Sequence, residues 1–215
     1  EIDELTKIVR PDFGIITNIS YAHIKNFKNL TEIAKAKSEI IKNIVEGGKI
    51  ILNRDDNYFN FLKKIALKKN IHVISFSKKN SLSDIYIKKI TSNKINSKIF
   101  INIKNATKSF LIKKNLHPYL HNILASVAII SEFYNLKNID EKLFYNFKLP
   151  FSRGDITKTK LKNKVIYLTD ESYNSNPLSL KFAIENFDKQ NNNNKYLILG
   201  DMLELGKFSK ILHKK

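Results

Sequence analysis

The chain has 215 residues, of which 42% are hydrophobic, enough for one comfortable core or two small ones. It has no cysteine, which excludes disulfide scaffolds, thiolate zinc sites and cysteine nucleophiles, and it has no unbroken apolar run of the roughly 18 residues a membrane span needs. The formal charge of +18 suggests nucleic acid, but 35 of the 38 basic residues are Lys, scattered through every expected element, whereas base readout and bidentate phosphate grips favour Arg.

The opening EIDELTKIVRPD has neither an initiator Met nor a basic-then-apolar leader, so the expectation is an internal piece of a longer cytoplasmic protein. FGIIT (residues 13–17) reads as a buried strand after Pro11. A helix is expected over residues 30–45, stopped by Gly47 and Gly48, and KIILN (49–53) is the next strand. Asp55 and Asp56 then favour a helix N-terminus, and the spacing of Phe59, Leu62, Ile65 and Leu67 carries that helix to about residue 69. HVISFS (72–77) is a third strand. DIYIKKI, KIFINI and KSFLIKK alternate apolar and polar residues, as antiparallel strands with one wet face do. A broad apolar helix follows over residues 119–134, and a shorter one over 141–147. KLPFSRG (148–154) combines Pro, Ser and Gly after a helix, which sets the expected domain boundary: 1–149 and 150–215. Beyond it VIYLTDE is a strand, residues 177–190 a helix, NNNN a loop, KYLILGD a further strand and 206–213 the start of a helix. The fold class is α/β: a mostly parallel sheet with a small antiparallel part, then the beginning of a Rossmann-like second domain.

Chemistry-bearing residues cluster after strands. DESYNSNP (170–177) offers two carboxylates, three hydroxyls and two amides between a strand and a helix, where open α/β sheets hold ligands. The same residues also suit an ordinary strand-to-helix turn. GDMLELG (200–206) follows YLIL and brings Asp201 and Glu204 to the same expected sheet edge. Thr17, Asn18 and His23 follow the first strand. Lys37, in AKAKSEI, is by spacing alone one lysine among many, and His121 with Asn122 reads as part of a helix cap. Arg153 is the single Arg in the second half of the chain, and its place in the expected linker suggests a planar phosphate grip. There is no G-x-x-x-x-G-K-[ST] phosphate loop and no paired-His zinc pattern.

TNISYAH, AKSEI, HN at a helix start, DESYNSNP, and GDMLELG with Ser209 and His213 behind it occur in the order found in the Mur ligases. The chain resembles that family over essentially its whole length, and within it the branch that adds D-alanyl-D-alanine. The resemblance implies ATP-driven amide formation in peptidoglycan synthesis through an acyl phosphate. It implies ATP and Mg²⁺ as cofactors and a UDP-N-acetylmuramoyl-tripeptide and D-alanyl-D-alanine as partners. No nucleic acid, no membrane insertion and a monomer complete that expectation. His23 matches the family's metal-holding histidine, and Lys37 matches the lysine that becomes a carbamate supporting that metal. Asn122 matches the adenine contact, Arg153 the linker arginine on the phosphates, and Asp170 and Glu171 the acidic pair near the ribose. Tyr173, Asn174 and Asn176 belong to the loop facing the peptide and the dipeptide amine. The family's phosphate loop and Mg²⁺-binding glutamate have no match here; Ala125 stands where a second Asn is usual, and Ser152 where the linker has Gly.

The same residues leave other readings open. Another Mur ligase or a folylpolyglutamate synthase would share the ATPase core and join a different amino acid. A Lys-rich nucleic-acid-binding protein would use the fold without catalysis, and a decayed pseudo-enzyme would keep the motifs as relics. Lys, Asn and Ile, all with A/T-rich codons, make up 93 of the 215 residues, so a biased genome explains the charge as well as a ligand does.

Overall fold

A computed structural model describes residues 1–190 and 194–214 of the chain. The chain divides into two compact units, residues 1–19 with 31–146, and residues 20–30 with 147–215. Asn191 to Asn193, within the expected NNNN loop, lie outside the described residues.

The first unit is built on one six-stranded sheet in sequence order: β1 (Phe13–Ile16), β2 (Lys49–Asn53), β3 (His72–Ser77), β4 (Ile85–Ser92), β5 (Asn96–Ile103) and β6 (Ala106–Lys113). β1 to β4 run parallel, and β4, β5 and β6 pair antiparallel. Consecutive residues Ile50, Ile51 and Leu52 of β2 are all fully buried, which requires cover on both faces of the sheet. That cover includes α4 (Phe59–Lys68) and α5 (Leu120–Phe133), which both pack on β2 and β3. In β5 buried Ser97, Ile99 and Ile101 alternate with half-buried neighbours, the period-2 pattern of a sheet with one wet side, until the strand's end, where Asn102 is buried beside Ile101 and Ile103. Gly14 lets β1 approach its cover: a Cβ there would come within 2.8 Å of Ile50 and 2.9 Å of Ile44.

The helix expected over residues 30–45 is two helices, α2 (Leu30–Lys37) and α3 (Glu39–Asn43). Between them the Ser38 hydroxyl donates back to the Lys35 carbonyl at 2.7 Å, the side-chain bond that bends helices. The N-terminal α1 (Ile2–Val9), which the sequence reading left unassigned, packs on α3. Residues 141–146 form turns rather than the expected helix. The Asp140 side chain accepts from the Lys142 N–H at 2.8 Å, the Glu141 carbonyl accepts from Leu111 of β6, and the Glu141 carboxylate meets Lys98 at 2.9 Å. These bonds pin the segment to the sheet edge and take the groups a helix would use.

In the second unit β7 (Asp155–Leu161) and β8 (Lys164–Asp170) form an antiparallel hairpin, of which only β8 was expected. α6 (Pro177–Asp188) opens on a capping box: the Asn176 side chain accepts the Leu178 and Ser179 N–H groups, and the Ser179 hydroxyl accepts the Asn176 N–H. α7 (Ser209–Leu212) follows a 3-10 turn at Gly206–Phe208. KYLILGD is not a strand. It pairs with none of the described strands, and an apolar run without a ladder partner has nowhere to place its backbone hydrogen bonds. Its Tyr196 and Ile198 are 85% and 94% exposed, so the expected pair of acidic loops on one sheet edge is not formed among the described residues. Among the described residues no helix is long and apolar enough to cross a membrane.

Candidate functional site

In the first unit the polar residues gather at the carboxyl ends of β1, β2 and β3, where an open α/β sheet places its ligand loops. The Asn53 amide at the end of β2 donates to the Thr17 carbonyl beyond β1 at 3.0 Å. One Asp56 oxygen accepts the Ile19 N–H at 2.7 Å and the other accepts the Tyr58 N–H at 2.8 Å, so this carboxylate ties the loop after β1 to the start of α4. Asp55 accepts the Ser77 hydroxyl and, at 2.7 Å, the Lys78 N–H, and faces the His121 Nε2 at 2.9 Å.

Burial pushes the Asp55 carboxyl up, but the bonds from Ser77, Lys78 and His121 outweigh it and leave it below the ordinary carboxylate value. Burial lowers His121 by more than Asp55 can restore, and its Nε2 faces a carboxylate oxygen that accepts. His121 is therefore not a cap of α5; the cap position is Tyr119, with no side-chain cap bond. Asp55 and His121 had only helix-end roles in the sequence reading. The available signal was the N-R-D-D run at a strand's carboxyl end.

Lys37 closes α2, with its amine donating to the Asn18 carbonyl at 2.9 Å. Burial holds its ammonium below the usual lysine value, with Asp56 opposing. The neutral amine is the form that adds CO₂, so this environment fits a carbamate. Asn122 lies exposed on the first turn of α5. Ala125 is 3% exposed, on the helix face turned into the core.

In the second unit His23 adopts the left-handed conformation at φ 57° and pairs through Nδ1 with the Glu204 carboxylate. The Glu204 carbonyl accepts the Lys25 N–H at 2.8 Å, so GDMLELG is docked on residues 23–25. The Met202 N–H donates to His213 Nε2 at 3.0 Å, and the opposite ring nitrogen sits 2.9 Å from the Ser209 carbonyl, which makes it the protonated one. A groove of about 580 Å³ runs along residues 201–214 and includes none of the residues expected to hold nucleotide.

The linker and DESYNSNP come together in this unit. Arg153 stacks on the Tyr173 ring, 4.2 Å from its centroid. Asp170 accepts the Ser152 hydroxyl on one oxygen and the Ser172 N–H on the other, both at 2.9 Å, and hydrogen bonds led by those of Ser172 hold its carboxyl below the ordinary value. Glu171 moves the other way, raised by burial and by the charges of Asp170 and Asp155. Tyr173 and Asn174 are exposed, whereas the Asn176 oxygen is committed to the cap of α6.

Arg153, Asp170, Glu171, Tyr173, Asn174 and Asn176 thus share one loop cluster, and His23 belongs to the same unit. Lys37 and Asn122 belong to the other. Among the described residues no three His, Cys, Asp or Glu side chains gather to hold a metal ion, and the His23 Nδ1 is taken by Glu204. The described residues alone do not fit a Mg²⁺ cage.

Comparison with known proteins bears on the family and the fold. Residues 1–130 match the family model described as the Mur ligase middle domain. A UDP-N-acetylmuramoyl-tripeptide–D-alanyl-D-alanine ligase of Rickettsia prowazekii (strain Madrid E) is 31% identical over 226 residues, covering all of this chain and 47% of the relative. The chain spans about half the length of the curated relatives it matches. A crystal structure of MurF from Acinetobacter baumannii superposes with a TM-score of 0.83 at 24% identity, over 99% of this chain and 45% of that one. The MurF ligase of Thermotoga maritima, crystallised with ADP, gives 0.78 at 22% identity, over 99% and 47%. These structural likenesses establish the α/β fold, and the chain belongs to the Mur ligase family.

Proposed function

We propose that the protein works in an ATP-dependent amide ligase that joins D-alanyl-D-alanine to a UDP-N-acetylmuramoyl-tripeptide in cell-wall precursor synthesis. The observation that carries this reading is the agreement, along the entire chain, with relatives that bear that activity in their names. In the reaction the tripeptide carboxylate attacks the γ-phosphate of ATP and ADP leaves. The dipeptide amine then attacks the acyl phosphate carbon, and phosphate leaves with the bonding pair. Such chemistry depends on positioning and charge neutralisation more than on covalent help from the protein.

In this reading the Arg153 fork neutralises phosphate charge, Asn122 contacts the adenine, and the exposed Tyr173 and Asn174 border the peptide side. Lys37, as the amine that would become a carbamate, and His23 are the family's metal-side residues by resemblance; they belong to different units and the His23 Nδ1 is engaged by Glu204, so no step is assigned to a metal here. The reading has the protein acting as a monomer in the cytoplasm, where ATP is supplied. The 215 residues hold no phosphate-cradling loop, so turnover needs residues beyond them.

The test is the complete gene product incubated with ATP, Mg²⁺, UDP-N-acetylmuramoyl-tripeptide and D-alanyl-D-alanine. One ADP released per ligated pentapeptide supports the reading, and the 215-residue chain alone is expected to release none. Ligation of a free amino acid in preference to the dipeptide would assign the protein to another branch of the family.

A further inference from the structure

We propose that Ser152 and Asp170 form a clasp that sets the orientation of Arg153, which makes Ser152 a positioning residue for the phosphate end of the reaction. This rests on the ligase reading above and deepens it. Ser152 stands at φ 57°, in the left-handed region that residues other than glycine rarely enter, and is 6% exposed. A serine held there with a buried hydroxyl needs a partner for that hydroxyl, and Asp170 supplies it at 2.9 Å.

Two main-chain bonds close the clasp on either side. The Gly154 N–H donates to the Asp170 carbonyl at 2.7 Å, and the Tyr173 N–H donates to the Ser152 carbonyl at 3.1 Å. Asp155 and Asp170 face each other across β7 and β8, so the clasp closes the open end of that hairpin. Three bonds therefore fasten the residues flanking Arg153 to residues 170–173, and the guanidinium lies on the ring of the residue that ends this span.

The consequence for binding is entropic. A long Arg side chain on a loose linker loses backbone and rotamer freedom when it grips phosphate. Here the backbone is fixed by the clasp and the side chain is pre-stacked on Tyr173. The clasp also redefines Asp170. With one oxygen on Ser152 and the other on the Ser172 N–H, its carboxylate fastens the protein's own loops and keeps lone pairs for a further donor.

The experiment has two arms. The first uses the ¹⁵N-labelled 215-residue chain, whose three arginines each carry one Nε–Hε group. The Arg153 signal is expected to carry an upfield ring-current shift that Tyr173→Leu abolishes and that both Ser152→Ala and Ser152→Gly reduce. Gly is the second variant because it accepts positive φ without strain, so its effect isolates the hydroxyl. An Arg153 signal unchanged in Ser152→Gly would overturn the clasp. The second arm measures the complete gene product. Ser152→Gly is expected to raise the KM for ATP about tenfold, the size of one hydrogen bond's contribution, with the KM for D-alanyl-D-alanine unchanged. A changed Arg153 signal with an unchanged KM for ATP would overturn the positioning role. Absence of ATP-dependent ligation by the wild-type protein would instead overturn the ligase reading, and the first arm does not depend on it.

Discussion

The amine of Lys37 ends α2 within 2.9 Å of the Asn18 carbonyl, and burial lowers the pH at which it gives up its proton. CO₂ adds only to the neutral amine, so at any given pH Lys37 offers more reactive form than a surface lysine with a pKa near 10.4. Incubation with ¹³C-bicarbonate is expected to give one carbamate carbon signal that grows as pH rises and is missing from Lys37→Arg. Asp55 and His121 are expected to show in stability. The folded-state value of His121 lies below its unfolded one, so its contribution is complete above about pH 6.5 and is lost as pH falls through the lowered value. Asp55 runs in the same direction lower down, complete above about pH 3.9 and lost as pH falls through its lowered value. Asp55→Ala removes the acceptor for Ser77, Lys78 and His121, and is expected to cost about 2 kcal/mol at neutral pH. Urea titrations at about pH 7, 5 and 3 check both the cost and the two-stage acid loss.

At the scale of elements, legibility in the sequence followed the strength of local pattern. β1, β2, β3, α4 and α5 were readable because each carries an apolar period that the core then uses. The break at Ser38 was not, because a serine bonded back to Lys35 looks in sequence like any serine in a helix. Residues 141–146 read as helix and became turns because long-range bonds to Leu111 and Lys98 decide there. The site divided in the same way. Arg153 was singled out by its isolation, and Lys37 only through resemblance. The Asp55–His121 pair, 66 positions apart, could not be joined without the fold. In DESYNSNP the turn reading holds at Asn176, which is spent on the cap of α6, and Tyr173 lies beneath Arg153. Two substitutions test these assignments. Asn176→Ala is expected to cost about 1 kcal/mol through loss of the cap. Ala125→Asn is expected to destabilise by about 2 kcal/mol by burying an amide at a site 3% exposed, without tightening nucleotide binding. Thermal melts with and without ADP check the pair.

For the whole molecule, composition and fold have different consequences. The +18 charge comes from lysines spread over both units, so binding to DNA or RNA is expected to be weak and to vanish by about 0.15 M salt. Fluorescence anisotropy with a labelled oligonucleotide across salt concentrations checks this. The mostly parallel sheet is, by contrast, the α/β fold that the family resemblance implied, and the Arg153–Tyr173 stack is an addition from the structure. The most direct measurement is product formation by the complete gene product, wild type and Arg153→Ala, given ATP, UDP-N-acetylmuramoyl-tripeptide and D-alanyl-D-alanine. The account predicts a pentapeptide product and stoichiometric ADP from the wild type, with kcat/KM for ATP falling about a hundredfold in the variant. A wild-type protein that ligates nothing, or an Arg153→Ala protein as active as wild type, would contradict it.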